Sequence, residues 1–300
     1  MGLRVTDQGM ANSRLSWISD GRGRTAEAER SLSTGRRIDQ PSDDPAASTQ
    51  MMRHTTRLRR IDQYGRNTNT ARLWINGADA ALQSAANQLG RAKTLAVQAG
   101  NDTMGPVERA ALAADIRAIA DGLRTVANTK VSGRAIFAGT ADTLDAYDVA
   151  GGYLGDARTV ELDIDTAETV DIGLPGPEIF GNTNPTDPMN GTAFEALSAL
   201  ADAVEAGDNG LIRDGIEAVD LTTARVGSAQ GRVGAISRQL DAAEFRQGGE
   251  RLEVQATVSK IGDTDMAEAI IRLRSAEAGY QATLSATARA MSTSLLDFLR

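Results

Sequence analysis

The sequence predicts a mainly α-helical fold with a small β insertion, in which long N- and C-terminal coiled-coil helices form an elongated hairpin. Proline, which lacks the N–H that a helix interior needs, is absent from residues 46–105 and 189–300, so both stretches are free to form long helices. Apolar residues recur there at spacings of three and four, as in helices that pack along one stripe. Between them, two short runs alternate apolar and polar residues, which is typical of strands.

The first long helix carries a heptad stripe, whose repeat keeps one face toward a partner helix and whose alanines permit a close approach. Gly100 is placed to end this helix, and Pro106 is a favourable first-turn residue for the next one. The stripe consists of Ile61, Tyr64, Thr68, Ala71, Ile75, Ala78, Leu82, Ala85, Leu89, Ala92, Ala96 and Ala99.

The β insertion is predicted from "TVELDID" and "TVDIGL", which are joined by three residues and form an antiparallel hairpin. The apolar positions are Val160, Leu162, Ile164, Val170, Ile172 and Leu174. The acidic residues Glu161, Asp163, Asp165 and Asp171 fall on the opposite strand face. A solvated face explains them better than a Ca²⁺ site does.

The last helix is expected to begin after Asp265, which can cap it, with Glu268 at capping-box spacing. Its predicted packing face is again a heptad stripe. This stripe consists of Met266, Ile270, Leu273, Glu277, Tyr280, Leu284, Thr287 and Met291.

Composition argues against several classes of function. The formal net charge of −8 gives no basic field for nucleic acid, and the Arg-rich run from Arg53 to Arg72 suits a solvated or subunit-facing helix side better than a phosphate site. The absence of cysteine removes disulfides, zinc-thiolate sites and thiol catalysis. We find no apolar core of a cleaved signal peptide and no membrane-spanning stretch, so no membrane insertion is expected.

Catalytic candidates are few. The only histidine, His54, has no cysteine or second histidine with which to share a metal or a proton. Asp43 and Asp44 suit helix capping better than acid–base catalysis, and Ser42 or Asp43 is expected to cap the helix that begins near Asp44 and Pro45. "GGYLGD" lacks the lysine of a phosphate loop. We therefore expect no enzyme, no cofactor and no metal.

The stretch "LSTGRRIDQPSDDPAAS", residues 32–48, predicts a defined turn between two helices. Gly35 can end the first helix in a left-handed conformation, and Pro41 forces the preceding Gln40 out of helix. The turn sets the angle between an N-terminal arm and the helix after it. The arm has too few apolar residues to offset its ordering entropy alone, so it is expected to order on assembly.

This stretch resembles the N-terminal signature shared by bacterial flagellins and hook-filament junction proteins, and "GYQATLSATARAMSTSLLDFLR" resembles the C-terminal helix of that family. "GRAIFAGT" and "GGYLGD" resemble the start of the β domain of a junction protein more than a typical flagellin. The resemblance implies a flagellin-like fold, export through the flagellar type III apparatus without a cleaved signal, and an extracellular place in the flagellum. The final "STSLLDFLR" is also similar to many flagellins, so flagellin stays open as the alternative.

The resemblance implies a structural adaptor that joins the hook to the flagellin filament. Its expected partners are other copies of the chain, hook-associated protein 1, flagellin and a cytosolic export chaperone. The assembly turn is expected to comprise Leu32, Gly35, Arg36, Ile38, Pro41, Asp43, Asp44 and Pro45. The assembly helices are expected to contribute Leu15, Ile18, Leu284, Met291, Leu295, Phe298, Leu299 and Arg300.

Five segments are predicted along the chain. They are an N-terminal assembly arm (1–40), a helical rod segment (41–133), a β-hairpin domain (134–190), a returning helical segment (191–262) and a C-terminal assembly helix (263–300). Two alternatives come from other classes of protein. A secreted binding module would lose binding on deletion of residues 134–190, and a hydrolase would lose turnover on mutation of His54 or Asp163.

Overall fold

The computed structural model describes residues 3–101, 104–182 and 191–298, without the side chains of residues 3–8, 10, 11 and 290–298. Within these ranges the helices are α1 (Leu3–Thr34), α2 (Pro45–Ala99), α3 (Pro106–Ala127), α4 (Gly176–Phe180), α5 (Ala193–Ala206), α6 (Asn209–Gly262) and α7 (Met266–Phe298). The strands are β1 (Lys130–Val131), β2 (Arg134–Ala135), β3 (Glu161–Asp165) and β4 (Glu168–Asp171). The predicted mainly α-helical fold with a small β insertion is confirmed.

Contacts divide the chain into two compact units. The first, called the terminal unit here, consists of Met1–Arg60 and Glu250–Arg300. The second, called the middle unit, consists of Ile61–Gly249. This division groups the two ends of the chain into one unit, whereas the five predicted segments follow chain order and remain a prediction.

The predicted heptad stripe of α2 forms much of the core of the middle unit. All of its residues are buried except Tyr64, which is half-buried. Thr68 is tolerated there because its hydroxyl donates to the Tyr64 carbonyl at 2.9 Å and accepts from the Gln247 side-chain amide at 3.1 Å. Trp74 is buried as well, although it lies outside the predicted stripe.

The antiparallel β1–β2 hairpin covers the face of α2 at Gly77, where an added Cβ would lie 2.5 Å from Val131 Cγ2. Ser132 and Gly133 turn the chain with positive φ angles of 52° and 83°. This hairpin begins at Lys130, earlier than the β segment that the sequence predicts from residue 134.

Helices α3 and α5 pack against each other in the middle unit. A capping box starts α5, since the N–H of Glu195 donates to the Thr192 hydroxyl at 3.2 Å and the Glu195 carboxylate accepts from the Thr192 N–H at 2.8 Å. Helices α3 and α5 thus form a packed helical pair within the middle unit.

The predicted hairpin is present as the antiparallel pair of β3 and β4, with Leu162 opposite Val170. The prediction that its acidic face is simply solvated is wrong in part. Glu168 forms an ion pair with Arg246 of α6, and Asp165 lies 4.0 Å from the same guanidinium. Asp171 lies 4.0 Å from Arg232 of α6. These carboxylates therefore face α6, and they attach the hairpin to it.

Candidate assembly site at the paired helix junctions

Gly35 ends α1, as the sequence predicts. Its φ of 69° lies in the left-handed region, and its N–H donates to the Ser31 carbonyl at 3.0 Å. An added Cβ at Gly35 would have no heavy atom within 4 Å, so conformation alone selects glycine at this position.

Asp43 stabilises the turn from inside. One carboxylate oxygen accepts hydrogen bonds from the backbone N–H groups of Gln40 at 2.8 Å and of Asp39 at 3.0 Å. These bonds, the one from Gln40 foremost, lower the pKa of Asp43 below its ordinary value, with a further contribution from the charge of Arg30. Asp43 therefore remains ionised in mildly acidic solution and keeps the chain bent ahead of α2.

Asp44 is the N-cap of α2. Its carboxylate accepts a hydrogen bond from the backbone N–H of Ala47 at 2.9 Å, which satisfies one of the free donors of the first turn. The prediction that Ser42 or Asp43 caps this helix is wrong. Asp44 directly precedes Pro45, the first residue of α2, so it alone is at the capping position.

The turn is hydrogen-bonded to the junction between α6 and α7. The backbone N–H of Arg37 donates to the Gly262 carbonyl at 2.7 Å, and the N–H of Thr264 donates to the Gly35 carbonyl at 2.9 Å. The guanidinium of Arg37 donates to the Ile261 carbonyl at 2.7 Å. The two helix junctions of the terminal unit are thereby fixed to each other, which the sequence did not reveal. We call them the paired junctions.

The predicted turn residues divide into packed and exposed positions. Ile38 is buried, and Leu32, Gly35 and Asp44 are half-buried. Arg36, Pro41, Asp43 and Pro45 are exposed. The turn thus combines a buried anchor with a surface that a neighbouring molecule can reach.

Helices α1 and α7 pack against each other in the terminal unit. The two helices approach each other closely at Gly21, where an added Cβ would lie 3.1 Å from the ring of Tyr280. Asp265 caps α7, as predicted, by accepting from the N–H of Ala267 at 2.8 Å. Glu268 forms an ion pair with Arg272 at 2.6 Å.

The predicted packing stripe of α7 is wrong in part. Leu273, Tyr280 and Thr287 are half-buried as expected, but Met266, Ile270, Glu277 and Leu284 are exposed. The other half-buried positions are Ala276 and Thr283, because α1 approaches this face closely and favours small side chains. Met266, Ile270 and Leu284 are left exposed on α7.

Several large apolar side chains of the two assembly helices are exposed. Among the predicted residues, Leu15 is 65% and Leu284 40% exposed, while Ile18 is half-buried. Trp17, at 59%, and Ile271, at 67%, belong to the same set, although they are not among the predicted assembly residues. Trp17 and Ile271 could have been recognised from the sequence, because large apolar residues are few in these arms. The side chains of Met291, Leu295 and Phe298, and all of Leu299 and Arg300, lie outside the described residues.

The two motifs of the β region are in direct contact in the middle unit. The N–H of Asp156, in "GGYLGD", donates to the Ala138 carbonyl of "GRAIFAGT" at 3.0 Å. The Asp156 carboxylate accepts from the Thr140 N–H at 2.7 Å and hydroxyl at 2.6 Å, which lowers the pKa of Asp156. Gly139, with φ of 67°, leaves no room for a Cβ, which would lie 2.3 Å from the Asp156 carbonyl oxygen. These two motifs therefore form one local structure.

Tyr153 completes this structure. Its hydroxyl is 3.0 Å from the Phe137 carbonyl oxygen and 2.8 Å from that of Asp156. Burial raises the pKa of Tyr153 to about 12 and raises that of the neighbouring Tyr147 above its ordinary range. Tyr147 packs edge-on against Phe194 with ring centroids 5.1 Å apart. These groups serve packing.

The candidate chemical residues belong to different units of the chain. His54 is half-buried on α2 in the terminal unit, and Asp163 is exposed on β3 in the middle unit. Among the residues that the structure describes, no group of three or more His, Asp or Glu side chains is arranged to hold a metal ion. In the Arg-rich run, Arg57 forms an ion pair with Glu250, and Arg72 pairs with Asp241 and Glu244. No described helix combines the length and the apolar character needed to cross a bilayer.

Known proteins resemble this chain at both ends. It matches the bacterial flagellin N-terminal helical region over residues 5–142 and the bacterial flagellin C-terminal helical region over residues 216–299. It is 30% identical over 233 residues to flagellar hook-associated protein 3 of Salmonella typhimurium, covering 73% of each chain. It is 26% identical over 265 residues to a flagellin of Halalkalibacterium halodurans, covering 88% of this chain and 87% of that one.

A solved structure shows the same fold. Flagellar hook-associated protein 3 of Legionella pneumophila matches with a TM-score of 0.62 at 16% identity, covering 69% of this chain and 98% of that one. The chain belongs to the flagellin family, and within it to the group of hook-associated protein 3. The predicted family is thereby confirmed, and the chain is a relative of flagellar structural proteins.

Proposed function

We propose that this chain is a structural adaptor of the bacterial flagellum that joins the hook, through hook-associated protein 1, to the flagellin filament. The observation that carries the proposal is the 30% identity to flagellar hook-associated protein 3 over 73% of both chains. In this role the chain is exported by the flagellar type III apparatus with the help of a cytosolic chaperone. It then acts outside the cell, without catalysis, as part of a homo-oligomer.

The exposed apolar side chains of α1 and α7 support assembly through the terminal helices. Trp17 and Leu15 are exposed on α1, and Ile271 and Leu284 on α7, while the two helices pack against each other through half-buried residues. Each such side chain contributes roughly 1.5–3 kcal/mol when it is fully buried. Neighbouring subunits would supply that burial, which the pair of helices alone does not.

The paired junctions support the same role. An adaptor must present its assembly helices at a fixed angle to the rest of its surface, since it links different partners below and above. In the terminal unit, hydrogen bonds fix the turn after α1 to the start of α7, and Asp43 and Asp44 fix the start of α2. The assembly helices and the first turns of α2 therefore move as one body when a neighbour binds.

Flagellin is the alternative function, and the match to the Halalkalibacterium halodurans flagellin over 88% of this chain supports it. The two functions differ in their assembly. A filament subunit repeats one heterologous contact without limit, whereas an adaptor stops because its lower and upper surfaces fit different partners.

Electron microscopy of hook-basal bodies that carry hook-associated protein 1 distinguishes these functions. The purified chain is incubated with them, with and without flagellin. The adaptor function predicts a short cap that extends only when flagellin is added. Long filaments of this chain alone would establish flagellin instead, and hook ends that stay bare would contradict both.

A further inference from the structure

The two units of the chain carry opposite net charges. The terminal unit contains 17 Arg and Lys against 14 Asp and Glu, and the middle unit contains 15 against 26. Between two copies, contacts of like units repel and contacts of unlike units attract. Charge thus favours a heterologous contact between copies, in which two different surfaces meet.

The terminal unit offers a groove between the turn and the start of α2, with a volume of about 290 Å³. We call it the methionine groove and define it by Arg36, Ile38, Pro41, Met51, Met52 and Arg59, and Asp39 and four uncharged polar residues complete its lining. Met52 is 69% exposed, and methionine adapts well to an incoming apolar group. Arg36 and Arg59 are exposed cations, and neither has an ion-pair partner among the residues that the structure describes.

The middle unit offers an exposed segment in residues 142–149, which we call the knob loop. Leu144 is 76% and Val149 85% exposed, and Asp142 and Asp148 carry negative charge near them in the sequence, while Ala146 and Tyr147 between them are buried. Exposed apolar side chains with carboxylates nearby complement a groove that contains two methionines and two guanidinium groups.

The knob loop is held in place before any partner binds. The side-chain oxygen of Asn128 accepts from the N–H groups of Ala146 at 2.9 Å and Tyr147 at 2.8 Å. Arg124 donates to the Val149 carbonyl at 2.8 Å, and Lys130 lies 3.1 Å from Asp145. A preorganised loop loses little conformational entropy when it docks, which favours binding.

We propose that the knob loop of one copy docks into the methionine groove of a second copy. Leu144 enters between Met51 and Met52, and the carboxylates of the loop face Arg36 and Arg59. Since each copy then offers one groove and one loop, the contact can propagate around the assembly. The inference rests on the proposed function in that it describes how copies of the adaptor meet.

Cross-linking of single-cysteine variants tests the contact, because the natural chain contains no cysteine. Full-length Met52→Cys and Leu144→Cys variants are mixed and treated with a short bis-maleimide, both in concentrated solution and in caps on hook-basal bodies. Leu252→Cys, at a site 68% exposed, replaces Met52→Cys as the matched control, and Leu73→Cys, at a site 63% exposed, replaces Leu144→Cys.

The docking contact predicts that the Met52→Cys and Leu144→Cys pair forms mixed dimers about tenfold faster than either control pair, and faster at low salt. Arg59→Glu on the groove copy slows the reaction, and Asp142→Arg on the loop copy restores it. Equal rates in all pairs would overturn the inference.

The outcomes separate this inference from the proposed function. Caps that form normally but lack the specific cross-link would refute the docking contact and leave the adaptor role intact. Specific cross-linking in solution, together with hook ends that stay bare, would support the docking contact and refute the adaptor role.

Discussion

Replacing Gly35 by alanine isolates the conformational contribution of the turn to the terminal unit. The φ of Gly35 is 69°, and an added Cβ meets no atom within 4 Å, so the substitution introduces strain and no clash. A left-handed conformation costs an L-residue about 1–2 kcal/mol. Hydrogen exchange of the Thr264 N–H, which donates to the Gly35 carbonyl, should therefore become about 5- to 30-fold faster.

The same chemical change at Gly23 is the matched control. Gly23 lies within α1, and an added Cβ there also meets nothing within 4 Å. In a helix interior, alanine is favoured over glycine by about 0.5–1 kcal/mol. Gly23→Ala should therefore slow exchange in α1, and Gly35→Asn should fall between glycine and alanine because asparagine tolerates the left-handed region. Hydrogen-exchange rates that change in the same direction in Gly35→Ala and Gly23→Ala would refute the conformational explanation for Gly35.

Three further predictions concern capping, titration and assembly. Asp44→Ala should lower the unfolding free energy by about 0.5–2 kcal/mol in denaturant titration, whereas Ser42→Ala should change it by less than about 0.5. Because burial raises the pKa of Tyr153 to about 12, its contribution to stability is complete below pH 10 and lost as pH rises through 12. Tyr153→Phe should reduce the fall in unfolding free energy between pH 10 and 12. A fall with pH as steep as that of the Tyr64→Phe control would contradict the prediction. Leu295→Asp should prevent cap formation in electron microscopy while circular dichroism stays helical, since burying an unpaired carboxylate costs several kcal/mol. Caps formed by this variant as readily as by Leu295→Met would exclude Leu295 from assembly.

Periodicity predicted the α2 stripe well because one property, burial against a neighbour, determines every position of it. On α7 the prediction from periodicity was wrong in part, since the largest apolar residues do not all face the partner helix. There, the small residues Ala276 and Thr283 share the half-buried face with Leu273 and Tyr280, and Ile270 and Leu284 remain outside. A pattern of apolar residues does not say which of two partners covers them.

Local polar detail was only partly predictable. Ser42, Asp43 and Asp44 are all good capping residues, and only the backbone path shows that Asp44 is the one at the first turn. The pairing of Glu168 with Arg246 joins residues that are 78 positions apart, and the bond of Arg37 to the Ile261 carbonyl joins residues that are 224 positions apart. Such partners depend on tertiary structure, which spacing along the chain does not encode.

The paired junctions affect the order in which the protein folds. Arg37 and Ile261 are 224 positions apart, so a chain that emerges N-terminus first cannot complete the terminal unit until its last helix has appeared. The middle unit needs only residues 61–249 and can fold earlier. Closing so long a loop costs little more conformational entropy than closing a shorter one, since each doubling of loop length adds only about 0.6 kcal/mol to the free-energy cost. The order in which the chain emerges, rather than a loss of stability, thus leaves the first sixty residues without their partner until α7 appears. At that point α7 or a neighbouring subunit can pack against them.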